Sequence, residues 1–569
     1  MSSGAPRPAL GLSVAVTGHR ADRITDAPAV SARFDALLAD LRAVLQAAGP
    51  RGGYASGGDG GLRLLSALAE GADRIGADAA VAAGVPLDVV VPFPIADYEE
   101  DFAEPGSRDG FRRLVGAARS ILILDGPSDR RALGYEAAGL ALLDNCDLLV
   151  AVWDGAPGRG RGGTYEVLAE AIRRALPIVL IPPDGRSADV YRPPAETATV
   201  RPEDLASLPA GTIEAVLSAQ LTPPPDFLDD EAWRVRTQPP QRPLIYPAYS
   251  WLLRLAGVGR KRARRANRIE DHGLAEPPPQ TDCLAEAFAW WDARAVEAAQ
   301  AFRSAVIVTF ALAALAVVLA AASVLAGAAK WLFVLAEIAT ILALSGNVLQ
   351  ARKRGWQERW LDAREVAELI RVTGLLRAAG IGRGEHARAG AGDWKGWYAG
   401  ALARALPLPG IDLSHPSAAA GALLQEIDGQ AAWNDATAHR MHVAAHRIER
   451  FGEVLFGLVL VAAIGWLALR VAAPASAGEL AYLLTALTAG LPAIATASYG
   501  IRVILDFEGV SQRAHRIASR LHHVAARLRE GPADMAALQA CARRTADIML
   551  ADVAAWRLLA EGRRLSIPG

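Results

Sequence analysis

Two stretches of this chain run for 22 residues without a charge, Ala305 to Ala326 and Leu480 to Ile501. A helix rises about 1.5 Å per residue, so either run is long enough to cross a hydrocarbon core about 30 Å thick. Neither offers a polar face to water, which points to membrane segments. Two weaker runs accompany them. Trp331 to Gln350 is apolar apart from Glu337, and Val454 to Leu469 is uncharged for 16 residues and reaches spanning length when Arg470 snorkels to a headgroup. Four spans in two hairpins are expected, 305–326 with 331–350 and 454–472 with 480–501. The hairpin turns hold two basic residues, Lys330 and Arg470, while 13 lie within fifteen residues of the opposite ends, from Arg294 and Arg303 to Arg513 and Arg516. By the positive-inside rule both termini and the middle segment face the cytoplasm.

Glu337 is the one carboxylate inside a predicted span, where a charge costs about 2.5–3.5 kcal/mol on insertion scales. It is a pore candidate; its plainer alternatives are protonation, or reaching the interface near the Lys330 end. Pro492 beside Gly490 marks a kink in the fourth span. Gly346, Gly355 and Arg359 recur as Gly500, Gly509 and Arg513 at an offset of 154, which together with the repeated hydropathy suggests a duplicated hairpin. Residues 284–304, 351–378, 425–453 and 502–530 are rich in Ala, Arg and Glu and are expected to continue the spans as cytosolic stalk helices. Trp290, Trp291, Trp394, Trp397 and Trp433 suit either an interfacial aromatic belt or stalk packing.

The 569 residues carry 60 Lys+Arg against 61 Asp+Glu, a net charge of -1 that leaves no bulk footprint for nucleic acid. Cys146, Cys283 and Cys541 lack any ligand or disulfide spacing, so no metal site is expected and a reducing setting fits. The N-terminus has no basic start followed by a long apolar stretch, so it does not read as a signal peptide and the first domain is expected inside the cell.

Ahead of the membrane region the pattern changes to short β-rich runs separated by Ala-rich helices: Leu12–Thr17, Leu62–Leu68, Leu87–Val91, Ile121–Leu124, Leu148–Trp153 and Ile178–Ile181. Such alternation predicts an α/β domain with a parallel sheet, in which ligands collect at the carboxyl ends of the strands. The residues that follow those strands are Gly18, His19 and Arg20; Gly71 and Asp73; Pro92; and Trp153 and Asp154. The last loop continues through Gly158, Arg159, Gly160, Arg161, Gly162, Gly163 and Thr164 to Glu166 at a helix start. Glycines before a helix let N–H groups approach an anion, and arginines pair with phosphate, so this loop is a phosphate-cradle candidate; a turn capped by Thr164 is its structural alternative. His19 is either a ligand contact or a satisfied structural histidine, and Asp73 a helix cap or a ligand group. The acidic run Asp97, Glu99, Glu100 and Asp101 reads as a solvated face, with Tyr98 placed to cover a base.

These residues resemble a family. VTGHR (Val16–Arg20), ALAEGADRIGADAA (Ala67–Ala80), VVVPFP with DYEEDF (Val89–Phe102), and AVWDG followed by GRGGTYE (Ala151–Glu166) are similar to the SLOG domains, nucleotide-binding relatives of the LOG phosphoribohydrolases and DprA. The hairpins beyond resemble the SLATT class of membrane effectors. The resemblance implies a Rossmann-like N-terminal domain over residues 10–185 and an all-α C-terminal membrane region with four transmembrane helices. It further implies a bacterial inner-membrane sensor of a nucleotide signal, ADP-ribose-like or cyclic, made by a partner enzyme. Such a sensor would act as a homo-oligomer that permeabilises the membrane, as an ion channel or pore, in antiphage (antiviral) defence. On that reading Gly162, Gly163 and Thr164 hold phosphate, Arg20 and Arg161 neutralise charge, and His19, Asp73 and Glu166 contact sugar or base. The alternative is a membrane-anchored nucleotide N-glycosidase with Glu166 as its acid or base, and against it the acid stands two residues after Thr164 where the enzymes have it three after.

Residues 186–283 are Pro-rich and are expected to form a semi-rigid connector. Its basic run, Arg260, Lys261, Arg262, Arg264, Arg265 and Arg268, lies near Trp251 and Leu252 and suits a tether to anionic lipid. Hairpin regions are expected at 284–378 and 425–569, joined by a connector at 379–424.

Overall fold

The computed structural model describes residues 5–49, 52–55, 61–158, 161–194, 200–228, 233, 237, 242–258, 282–383, 393–414, 416–472, 478–531 and 534–561. Arg159, Gly160 and the basic run at 260–268 lie outside the described residues. An N-terminal α/β region is followed by an all-helical region that contains four helices of membrane-spanning length and composition.

The sheet has seven strands: β1 (Gly11–Gly18), β2 (Gly61–Ser66), β3 (Leu87–Val91), β4 (Ser120–Ile123), β5 (Leu148–Val152), β6 (Ile178–Ile181) and β7 (Asp189–Tyr191). Their order is β4-β3-β2-β1-β5-β6-β7, parallel except for β7. These strands are apolar on both faces because both are covered. Leu12, Val14 and Val16 of β1 pack with α1 (Ala27–Ala48), α2 (Ala72–Ala82) and α4 (Pro105–Ala117); α3 is the short turn Ile95–Glu99. Ala15, on the other face, joins α5 (Arg131–Asn145) and α6 (Thr164–Arg173). The sheet thus runs past residue 185. Part of the expected connector is ordered against it: α7 (Ile213–Leu221) packs on α1 and β7, and Phe227 of α8 (Pro225–Leu228) is buried. Prolines there open helical turns, at Pro202 and Pro225, where a missing N–H costs nothing.

After α9 (Ala248–Leu255) come the two hairpins. In the first, the unbroken α10 (Asp282–Ser323) turns into α11 (Lys330–Lys353) and α12 (Trp356–Ala378). In the second, after α13 (Trp394–Ala405), the unbroken α14 (Ser417–Ala472) is followed by α15 (Gly478–Ile504), α16 (Phe507–Glu530) and α17 (Met535–Glu561). Both returning arms break at a left-handed residue, Gly355 (φ 57°) and Asp506 (φ 50°), so the hairpins correspond at an offset of 151. The 154 spacing does not pair equivalent environments: a side chain at Gly346 would meet open space, whereas one at Gly500 would strike the Phe310 ring. Gly500 is where α15 crosses α10 closely. Asn347 clamps the first hairpin, its amide donating to Ala305 O and Thr309 Oγ1, both at 2.9 Å. Along the apolar lengths, Leu315, Leu335, Ile338, Val461, Ile464 and Leu467 are exposed, the surface that lipid requires. Pro492 lies within α15. Glu337 is half-buried on α11, with no hydrogen bond or ion pair among the described residues.

The helical region grips the sheet at the amino ends of the strands. Arg383, 4% exposed, pairs with Asp147 and donates to Ser13 Oγ (2.9 Å), while Ser13 N donates to Asp147 Oδ2 (2.8 Å). Asp144 takes Arg174 (2.7 Å) and Arg543 (2.6 Å), and Asn145 exchanges bonds with Gly380 and Gly382. Arg63 and Arg377 grasp the carbonyls of Ala405, Leu406 and Pro407 at the C-terminus of α13, a favoured place for cations. Trp290, Trp291, Trp394 and Trp397 form one buried aromatic cluster with Trp233 and Tyr398, so these four serve packing and not a lipid belt. Residues 393–413 pack on the sheet, with Leu413 N donating to Ile123 O (2.7 Å) at its β4 edge. Asp147→Ala strands the buried Arg383 charge and is expected to cost about 3–5 kcal/mol. The expected readout is a lowered Tm of the detergent-solubilised protein, partly restored when Arg383→Leu is added.

Candidate functional site: a crevice at the strand-order reversal

Strand order reverses at β1, whose successors run outward through β2 to β4 on one side and through β5 to β7 on the other. In parallel sheets that point leaves a crevice at the carboxyl ends of the strands. A cavity of about 520 Å³ lies there, and Gly18, His19, Arg20, Asp73, Pro92, Trp153, Arg161, Gly162, Gly163 and Thr164 all line it. Gly71, Asp154 and Glu166 are not among the lining residues.

Local folding explains much of this constellation. Gly18 has no room for a side chain, since a Cβ would lie 2.5 Å from the Ala72 Cβ and 2.8 Å from Val152 O. Gly71, at φ 100°, lets the start of α2 touch the first loop, and Ala72 N donates to His19 O (3.1 Å). His19 is 6% exposed and fastens the β1 loop to the β5 loop. Its N–H donates to Val152 O (3.0 Å), and Asp154 N donates to its Nε2 (3.1 Å). The same ring nitrogen lies 2.9 Å from Asp154 Oδ1, so a protonated ring would pair with that carboxylate. Burial works against the Asp154 charge, but the Ala156 N–H, His19 and Arg23 together hold its pKa below the usual carboxylate value. Trp153 donates through Nε1 to Ala156 O (3.0 Å), folding the same loop.

At the other wall, Gly162 (φ 80°) packs against the first two turns of α5, where a Cβ would meet Glu136 N at 2.8 Å. The Gly163 N–H at the N-cap of α6 donates to Glu166 Oε2 (2.7 Å), so Glu166 holds the helix start and competes there with any incoming anion. Arg161 is paired with Glu136 (2.6 Å) and Arg23 with Asp154. The Arg20 guanidinium is exposed and has no hydrogen bond or ion pair among the described residues. Among the described residues it is the cation at this rim that is available to an anion.

The cavity also has an acidic and aromatic set of lining side chains, part of which the sequence reading did not single out. Glu70, Asp101, Phe102, Tyr135 and Tyr165 line it. Asp101 pairs with Arg131 (2.6 Å) and accepts from Tyr135 Oη, so one end of the acidic run turns inward instead of facing water. Tyr98 lines the cavity too, but its ring is wedged edge-on between Phe102 and Phe111, a core position and not a lid. A signal for Asp101 existed in its DYEEDF setting; Tyr135, in an ordinary helical stretch, offered none.

Asp73 is the most perturbed acid of the crevice. Burial pushes its pKa from 3.8 to about 7, outweighing the Ala69 N–H bond and the nearby Arg74. An acid whose folded pKa is raised gives the native state extra protons, so stability is highest below the unfolded value and falls as pH rises toward the folded one. Asp73→Asn is therefore expected to leave stability nearly unchanged at pH 4 and to raise it at pH 8 by on the order of 2–4 kcal/mol. Thermal melts of the two proteins at both pH values check this, and an equal shift at both would contradict it.

No family model, curated protein or solved structure matches this chain.

Proposed function

We propose that this protein is a membrane-embedded sensor of a nucleotide-derived signal. Its Rossmann-like, SLOG-like domain captures an ADP-ribose-like or cyclic nucleotide, and its SLATT-like hairpins then permeabilise a bacterial inner membrane in antiphage defence. The observation that carries the reading is a crevice at the strand-order reversal lined by Arg20, unpaired among the described residues, by a glycine-led helix start and by acidic and aromatic side chains. Phosphate suits Arg20 and the helix start. Ribose hydroxyls and an amino-bearing base suit Asp73, Asp101 and Glu70, which accept hydrogen bonds when ionised.

The crevice and the attachment of the helical region lie at opposite edges of one sheet, Ser13 and Gly18 being five residues, or about 17 Å, apart along β1. Helix α5 links the two. Its Tyr135, Ala138, Gly139 and Leu142 line the cavity, and its last residues, Asp144 and Asn145, bind Arg543, Gly380 and Gly382. A ligand shifts the hairpins only if it binds two arrangements of α5 with different affinity. Both termini in the cytoplasm would put the crevice on the side where a partner enzyme makes the signal, and a homo-oligomer would build the pore.

Nothing in the geometry favours N-glycosidic hydrolysis, because Glu166, the acid it needs, is engaged at the helix cap outside the lining. Binding of ADP-ribose and cyclic dinucleotides, measured by calorimetry on the detergent-solubilised chain, is expected to weaken about ten-fold in Arg20→Ala. Glu166→Gln is expected to tighten it by removing a competing charge. No heat from any such ligand, or wild-type affinity in Arg20→Ala, would overturn the reading. Arg543→Ala is expected to keep the wild-type affinity within about two-fold while reducing ligand-triggered dye release from proteoliposomes.

A further inference from the structure

α9 buries one face and exposes another that is also apolar. Tyr249 and Ala256 are buried, whereas Trp251 is 61% and Leu255 86% exposed, with Leu244 just before the helix fully exposed. Positions 251 and 255 are one turn apart and share a side of the helix. Such residues on an eight-residue helix are costly in water, so what covers them must be apolar.

The place where α9 is fastened identifies the cover. Ser304 Oγ donates to Tyr246 O (2.8 Å) and accepts from Tyr249 N (3.1 Å), and Gln300 reaches Tyr246 O and Ser250 Oγ, both at 2.9 Å. Ser304 directly precedes the uncharged run of α10. From the second hairpin, Arg447 donates to Ala256 O (2.7 Å) and the Phe507 ring stacks on Tyr249 with centroids 6.5 Å apart. The helix is thus wedged between both hairpins at the plane where their apolar lengths give way to arginines. Leu349, Phe451 and Tyr499, near the same ends of the spans, are exposed as well, so the outer face of α9 continues the lipid-facing surface.

We propose that α9 is an interfacial helix that lies in the headgroup layer of an anionic bilayer, with Trp251 and Leu255 inserted toward the acyl chains and Arg254 among the phosphates. Trp and Arg are the side chains that this layer favours, and a helix in its plane fixes the depth of whatever is bound to it. Because it bonds to both hairpins, α9 sets their common depth and joins them at the bilayer surface. The inference needs the spans to be in lipid but not the nucleotide reading, so the two fail separately.

The test uses the full chain with Cys283→Ser and Cys541→Ser, carrying Trp251→Cys or Leu255→Cys labelled with an environment-sensitive fluorophore. Both side chains are exposed, so the substitutions spare the packing. Arg186→Cys, 84% exposed on the α/β region, serves as the aqueous reference. In vesicles of phosphatidylcholine and phosphatidylglycerol, the probes at 251 and 255 are expected to emit to the blue of the reference. Shallow spin-labelled lipid should quench them at least two-fold more than the reference, and aqueous iodide less. Iodide quenching equal to the reference at both positions overturns the proposal. So does crosslinking between two Trp251→Cys chains without lipid quenching, which would show that a second copy covers this face.

Discussion

The rest of the structure depends on how the charged amino edge of the sheet is buried. Asp88, Asp144 and Asp147 stand at the starts of strands or the end of the helix before them, and each is almost fully buried. Carboxylates in such places survive only when cations and N–H groups neutralise them, and Arg119, Arg174, Arg383 and Arg543 do so together with backbone donors. Two of these arginines, Arg383 and Arg543, come from the helical region. The α/β region therefore completes its own electrostatics with residues from beyond its last strand, and the two halves of the chain share one core on the α5 and α6 face.

That attachment decides what the opposite edge is free to do. With the amino edge occupied, the crevice opens at the carboxyl edge, where the first and fifth strand loops are cross-tied by His19, Val152 and Asp154. The ties keep the loops in place, while Arg20 and the acidic side chains line the cavity. Several residues that look like ligand groups are thereby explained as structure. Gly18 and Gly71 permit close packing, Glu166 caps a helix, and Arg161 answers Glu136. The cavity is defined as much by residues that no motif announces, such as Tyr135 on α5.

The membrane half repeats an idea in two registers. Each hairpin pairs an unbroken helix with one that bends at a left-handed residue, a glycine in the first case and an aspartate in the second. Asn347 and the bare backbone at Gly500 bring helices close enough for packing and hydrogen bonding to replace the hydrophobic drive that is absent in lipid. Beyond the spans, the tryptophans that suited a belt at the interface instead fill the space between helices and sheet, where their large rings bury the most surface.

The chain's pattern alone was enough to locate the four membrane-length helices, since a long apolar run with at most one charge is a local property that lipid and helix geometry make decisive. It was enough, too, for the first six parallel strands and the loops that meet at the crevice, because alternation of strand and helix restricts a sheet to few topologies. It did not reveal β7, the packing of residues 202–228, the 151-residue correspondence of the hairpins, or which charges were already paired. Those follow from long-range contacts: Arg383 meets Asp147 across 236 positions, and Arg161 is neutral in effect only because α5 presents Glu136 beside it. Pairing and burial depend on what the fold brings near, and no period or motif in a single segment encodes the neighbour.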